Sequence, residues 1–165
     1  MKNFKILNIA FTIALLFCII PDALAQTAKY TYKPMAAEGC IMEYSIAKQG
    51  EKYYIIAAVE SDRLSFLNES SFWIKTFDDD TIKLKGNLVD DKTRTFSSGN
   101  ITLTRIHSSA QFEISEAELK LLNKGVAKVK LSTTPIEHKR TFKKDKIGKK
   151  LYKFYLQQKK DDEEF

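Results

Sequence analysis

The sequence predicts a mainly β fold, an antiparallel β-sandwich of about 8 strands carrying a short connecting helix and a C-terminal amphipathic helix. Three observations lead there. Apolar and polar residues alternate over short stretches from Cys40 onward. These stretches recur at roughly 8–12-residue spacing, with Gly, Asn or Asp between them. They also follow one another directly, without the long helical crossovers that a parallel sheet requires.

Residues 26–38 form a polar lead-in with Pro34 and no clear period. Cys40, Met42, Tyr44 and Ile46 then fall on one face of a strand, and Ile41, Glu43 and Ser45 on the other. Gln49-Gly50 is a turn signal. Tyr53 to Val59 is a near-continuous apolar run, short for a helix, and reads as a central strand covered on both faces. A short strand follows over Leu64 to Leu67. Phe72 to Phe77 and Thr81 to Gly86 flank Asp78-Asp79-Asp80 as a hairpin. Asp90-Asp91 marks a further turn, and Ile101 to Ile106 and Ala110 to Ile114 complete the pattern as two separate strands.

Ser115 with Glu118 three residues later is a capping box, Leu119 and Leu122 supply one apolar face, and Gly125 stops that short helix. Val126 to Leu131 returns to β, with Ala127, Val129 and Leu131 on one face and Lys128 and Lys130 on the other. The last element is a helix over about 144–160, its apolar stripe Ile147, Leu151, Phe154 and Tyr155 and its remainder mostly Lys. Gly148 weakens its first turn by about 1 kcal/mol relative to Ala, and Asp161 to Glu164 is an acidic, frayed tail.

The chain has 165 residues, 44% of them apolar. That suits one domain, 39–165, whose core needs no disulfide staple. Residues 1–25 read as a signal peptide. Lys2 and Lys5 form the positive region, Ile6 to Ile20 is an uncharged, mostly apolar stretch too short for a membrane span, and Ala23-Leu24-Ala25 offers small residues for cleavage before Gln26. The expectation is a periplasmic or secreted protein. Cleavage removes Cys18 and leaves one thiol, Cys40, read as a small buried hydrophobe.

The formal charge of the chain is +6. Lys and Arg balance Asp and Glu over residues 26–138, so the excess of the exported protein lies in the C-terminal segment. Its Lys143, Lys144, Lys146, Lys149, Lys150 and Lys153 are candidate contacts for a polyanion, either anionic lipid or polyanionic glycan. The competing reading is a solvated face on a helix whose apolar stripe packs on the sheet. The Phe72–Phe77 stretch is the densest in aromatics. Alternation puts Phe72, Ile74 and Thr76 on one face and Trp73, Lys75 and Phe77 on the other. One face is core. The other is covered by the C-terminal helix or stands open as an aromatic patch through Trp73 and Phe77.

Nothing in the sequence marks an enzyme. There is no nucleotide-binding Gly-rich loop, no paired-His metal motif and no nucleophile elbow. A Cys40–His107 or Cys40–His138 pair is the only catalytic combination available, a cryptic hydrolase at most. Asp78-Asp79-Asp80 lacks the ligand count and spacing of a calcium loop and reads as solvated turn formers. No cofactor, metal or nucleic-acid partner is expected, and any membrane contact is peripheral.

The stretch FWIKTFDDDTIKLKG (72–86), with AQFEIS (110–115), GVAKVKL (125–131) and FKKDKIGKKL (142–151), resembles small exported proteins of Bacteroidetes that carry no assigned function. The resemblance implies a β-rich fold in an envelope or secreted setting and transfers no active site. The leading functional expectation is a non-enzymatic binding module whose partner is a protein or glycan of the envelope.

Overall fold

A computed structural model describes residues 26–32 and 40–163. The expected leader, residues 33–39 and the last two residues lie outside the described residues. The protein is mainly β and antiparallel, with one short helix in mid-chain and one at the C-terminus, as the alternation predicts. The strands are β1 (Ala28–Tyr32), β2 (Cys40–Gln49), β3 (Lys52–Ser61), β4 (Ser65–Phe66), β5 (Glu69–Thr76), β6 (Thr81–Ser98), β7 (Ile101–Ile114), β8 (Val126–Leu131), β9 (Thr133–Thr134) and β10 (His138–Thr141). The helices are α1 (Glu116–Leu121), continued by a 3-10 turn over Leu122–Lys124, and α2 (Gly148–Glu163).

Eight strands hydrogen-bond in the order β1-β2-β3-β7-β6-β5-β8-β10, and β4 pairs with β9 apart from them. The layers are therefore halves of one continuous sheet, curled so that its inner faces meet. Tyr44 of β2 stacks on Phe72 of β5, 5.6 Å between centroids, although three strands separate β2 from β5. Phe72 meets Phe112 of β7 edge-on at 5.4 Å. These rings, with Met42, Ile55, Ile74, Ile82 and Leu131, form a single core.

The curl also brings the edge strands β1 and β10 to each other. The Tyr30 hydroxyl lies 2.8 Å from His138 Nε2 and 2.8 Å from the Tyr44 hydroxyl. The Tyr30 ring packs on Phe142 at 5.0 Å. Side chains thus close a seam that backbone hydrogen bonds leave open. Burial with its hydroxyl against Tyr30 holds Tyr44 well above the usual phenol range.

The open ends of the curled sheet are covered differently. At one end the β4–β9 ribbon places Phe66 edge-on against Phe112, with Phe66 N–H donating to Ser108 Oγ at 2.9 Å, and Leu64 just before it is buried. At the other, α1, its 3-10 turn and α2 lie across the β2–β3 hairpin and the start of β8. The Ser115–Glu118 capping box forms as read, and Gly125 ends the 3-10 turn at φ 77°. Ile147, Leu151 and Tyr155 are buried. Tyr155 meets Tyr53 edge-on at 5.1 Å and donates to Glu116 Oε2 at 2.8 Å; burial first, and then the bond to Glu116, pushes its pKa up to about 12.

Several expectations need correction. Part of the lead-in, Ala28–Tyr32, is strand β1, whose pairing with β2 buries Ala28; five residues carry too little periodicity to announce this. β3 is central but covered on one face only, since Tyr54, Ile56 and Ala58 on the other are half-exposed. Asp90-Asp91 is no turn. β6 runs through it for 18 residues, absorbing Val89 as a bulge between Leu88 and Asp90. Its partner β7 is likewise one strand where two were expected, because Ser108 and Ser109 are buried between β3 and β6. The C-terminal helix starts at Gly148, not near 144. Asp145 stands before it, its Oδ1 accepting from Gly148 N–H at 2.8 Å and from Val126 N–H at 2.9 Å, its Oδ2 from Lys149 N–H at 2.9 Å. Nor is Gly148 a weakness. A Cβ there would stand 2.8 Å from Val126 N and 2.9 Å from Leu122 O, so glycine is what lets the helix approach. The acidic tail is helical through Glu163, with Asp162 ion-paired to Lys48.

Candidate functional site

On the outer face of β6, β5, β8 and β10, pairing register sets side chains in two rows. Across the strands, one runs Lys83, Trp73, Lys130, Lys139, and the other Thr81, Lys75, Lys128, Thr141. Strand spacing of about 4.8 Å and a two-residue step of about 7 Å make this a lattice of ammonium groups around one indole. The same alternation that buries Phe72, Ile74, Ile82, Leu84, Val129 and Leu131 on the inner face turns these residues outward.

The lattice lines a groove of about 530 Å³ with five lysines, and no carboxylate lines it; Arg140, in register with Val129, alternates to the other side of β10. Trp73 is its apolar centre and 40% exposed. Lys83 Nζ lies 4.6 Å and Lys130 Nζ 4.8 Å from the ring centroid, so one indole holds two ammonium groups in place, at about 0.5–1 kcal/mol each. Carboxylates sit at the margins. Glu137 bridges Lys139 at 2.7 Å and Lys130 at 2.9 Å, and Asp79 pairs with Lys75 at 2.7 Å. These lysines, Lys139 first and then Lys130, hold the Glu137 carboxyl below its ordinary range, and Lys75 does the same for Asp79.

Lys75 stands directly opposite Lys128, and Lys130 opposite Lys139. Like charges directly opposite one another destabilise a sheet by up to about 1 kcal/mol per pair. Glu137 offsets that cost between Lys130 and Lys139, and Asp79 offsets it at Lys75.

The residues singled out from sequence fare differently. Trp73 is at the centre of the groove. Phe77, on the same face and 44% exposed, lies beyond it beside Gly125, so the two do not form one aromatic patch. Phe72 is core. Lys143, Lys144, Lys146, Lys149, Lys150 and Lys153 are all exposed, and none forms an ion pair with another described residue. They occupy the solvent side of α2 and the chain leading to it.

Cys40 is buried on the inner face, 1% exposed. His107 is exposed, paired in register with Glu60 and Lys92 on the outer face, so the sheet separates it from Cys40. His138 is fully buried in the seam, where burial and, after it, the charge of Arg140 lower its pKa to about 4. Asp78 and Asp80 pair with Lys124, and no group of three or more His, Cys, Asp or Glu among the described residues is placed to hold a metal ion. No helix among the described residues is long and apolar enough to cross a membrane.

Lys75, Lys83, Lys128, Lys130 and Lys139 were missed as a site by sequence reasoning. Charge balance over 26–138 concealed the first four, and Lys139 fell within the C-terminal excess, because a tally does not record which face a residue occupies. The available signal was Lys at alternate positions of three predicted strands. Fold and site together define a curled antiparallel sheet with a cationic groove on its outer surface. The chain matches no family model, no curated protein and no solved structure in the comparisons made.

Proposed function

We propose that the protein is a binding module for a polyanionic glycan, which it takes along the Trp73 groove. The observation that carries this reading is a lining of five lysines and one tryptophan without a carboxylate. Fixed cations on a rigid sheet suit a stiff chain carrying regularly spaced anionic groups, and the apolar indole suits the face or edge of a sugar ring. The groove is a poor seat for a lipid surface, since a concave site with one large apolar residue offers little to insert. It is also a poor seat for single-stranded nucleic acid, which stacks on several aromatics in succession.

Heparin and alginate, one sulfated and one carboxylated, are suitable probes. The parent protein is expected to bind at least one of them, with affinity falling as salt rises. Lys83→Gln with Lys128→Gln should weaken binding by roughly tenfold, about 0.7 kcal/mol per lysine. Lys149→Gln, Lys150→Gln and Lys153→Gln on α2 should leave it within about twofold. Loss of binding in the helix variant with retention in the groove variant would move the site to the C-terminal lysines. Absence of binding to both probes would end the proposal.

A further inference from the structure

The long β6–β7 hairpin extends past the rest of the sheet. β3 pairs with β7 only as far as Ile106, and β5 with β6 only as far as Asn87. Beyond Thr93 and Ile106, β6 and β7 pair only with each other among the described residues, turning at Gly99-Asn100. Arg94–Ser97 and Thr102–Thr104 are all exposed.

The composition of this ribbon is segregated by depth. Phe96 and Leu103 are a cross-strand pair near the tip, 52% and 41% exposed. On the same face, one step of about 7 Å back along the strands, Arg94 is paired with Arg105, and a further step back Lys92 is paired with His107. The opposite face carries Thr93, Thr95, Ser97, Thr102 and Thr104, polar and uncharged, with half-buried Ile106 opposite Thr93 at its base. No Asp or Glu occurs between Lys92 and Phe112. The carboxylates of this region, Glu60 and Asp90, stand at the base, where they lie 3.7 Å from Arg105 and 3.0 Å from Lys92.

We propose that this ribbon is an anchor for an anionic membrane surface: Phe96 and Leu103 enter the headgroup–acyl boundary while Arg94 and Arg105 engage lipid phosphates. The depth fits, because interfacial elements bury their apolar side chains by about 5–10 Å and leave cations at the level of the headgroups. The charge fits, because the tip has no acid to desolvate or repel the surface. An acidic protein segment is the weaker occupant. A free-standing ribbon has no walls to enclose a peptide side chain, whereas a lipid interface covers a protruding tip from every side. This anchor is independent of the glycan groove, which lies on a different part of the sheet.

Sedimentation with vesicles of phosphatidylcholine containing 30% phosphatidylglycerol tests it, with pure phosphatidylcholine as control. The parent protein should partition onto the anionic vesicles at least roughly tenfold more than onto the neutral ones. Phe96→Asp with Leu103→Asp, and separately Arg94→Gln with Arg105→Gln, should each reduce that partition by roughly tenfold or more. Lys83→Gln with Lys128→Gln should leave it unchanged. Thermal unfolding keeps the comparison honest, since substitutions on a ribbon exposed on both faces should leave the midpoint in place. In Phe96→Trp, the added indole should shift its emission to the blue on anionic vesicles. Failure of the parent to bind anionic vesicles, binding that survives both ribbon variants, or a ribbon that captures polyglutamate but not vesicles would each overturn the proposal.

Discussion

The junction of α2 with the sheet rests on Asp145, and its removal has a magnitude that follows from the geometry. The Asp145 carboxylate accepts from the amides of Gly148 and Lys149, which the first turn of a helix leaves unsatisfied, and from Val126 N–H at the start of β8. Asp145→Ala therefore loses a helix cap, about 1 kcal/mol. It also leaves the buried Val126 N–H without its acceptor, a further cost of about 1–3 kcal/mol. The sum, about 2–4 kcal/mol, corresponds to a fall of about 6–14 °C in Tm for a domain of this size. Asp145→Asn keeps the Oδ1 acceptor and loses Oδ2, so it should recover roughly half of the loss. Gly148→Ala attacks the same junction by overpacking, because its Cβ would press on Val126 N and Leu122 O, and it should cost about 1–3 kcal/mol. The assay is urea and thermal unfolding followed by far-UV circular dichroism, with the m-value required to stay constant. An Asp145→Ala protein within about 0.5 kcal/mol of the parent, or equal effects of Ala and Asn, would refute the cap-and-tie reasoning.

Two further outcomes follow from the buried polar and thiol groups. His138 has a folded pKa of about 4 against an ordinary value near 6.5, so between those pH values the unfolded chain binds the proton and the folded one does not. Stability should therefore fall as pH drops through that window, by up to about 3 kcal/mol, and lose nothing further from this group below pH ~4; a pH series of unfolding free energies should show that slope in the parent and not in His138→Gln. Cys40, 1% exposed, should react with a thiol reagent in native Cys18→Ser protein only as fast as the fold opens, and rapidly in 6 M guanidinium, so fast labelling of the native state would place the thiol at the surface.

The local elements were largely legible in the sequence. The alternation from Cys40 to Ile46 names the residues that are buried, and the capping box of Ser115 and Glu118 and the stop at Gly125 stand where they were read. The misreadings have physical causes. Asp90-Asp91 carries the composition of a turn, yet a bulge at Val89 lets β6 continue, and ladder hydrogen bonds to β7 outweigh the turn preference of Asp. Ser108 and Ser109 look like a strand break but lie within β7, where neighbours on both sides pair their backbones. β1 has no strong pattern of its own, because an edge strand of five residues takes its conformation from the partner it pairs with. Gly148 looked like a defect because helix propensity is counted without knowing what the helix packs against.

Of the candidate site, Trp73 was in view and its companions were not. Trp73 lies on β5, Lys83 on β6, Lys128 and Lys130 on β8, and Lys139 on β10, so they share a surface only through the sheet order β6-β5-β8-β10. By itself, the sequence settles which residues of β2 face oil, where the short mid-chain helix is capped and stopped, and that lysine occupies the water side. Those are consequences of chemistry between residues a few positions apart. Which strands lie side by side, how far β6 and β7 run on beyond them, and which lysines gather at one indole depend on pairings between distant segments. Only the curled sheet, balancing chain entropy against the burial of one continuous core, decides them.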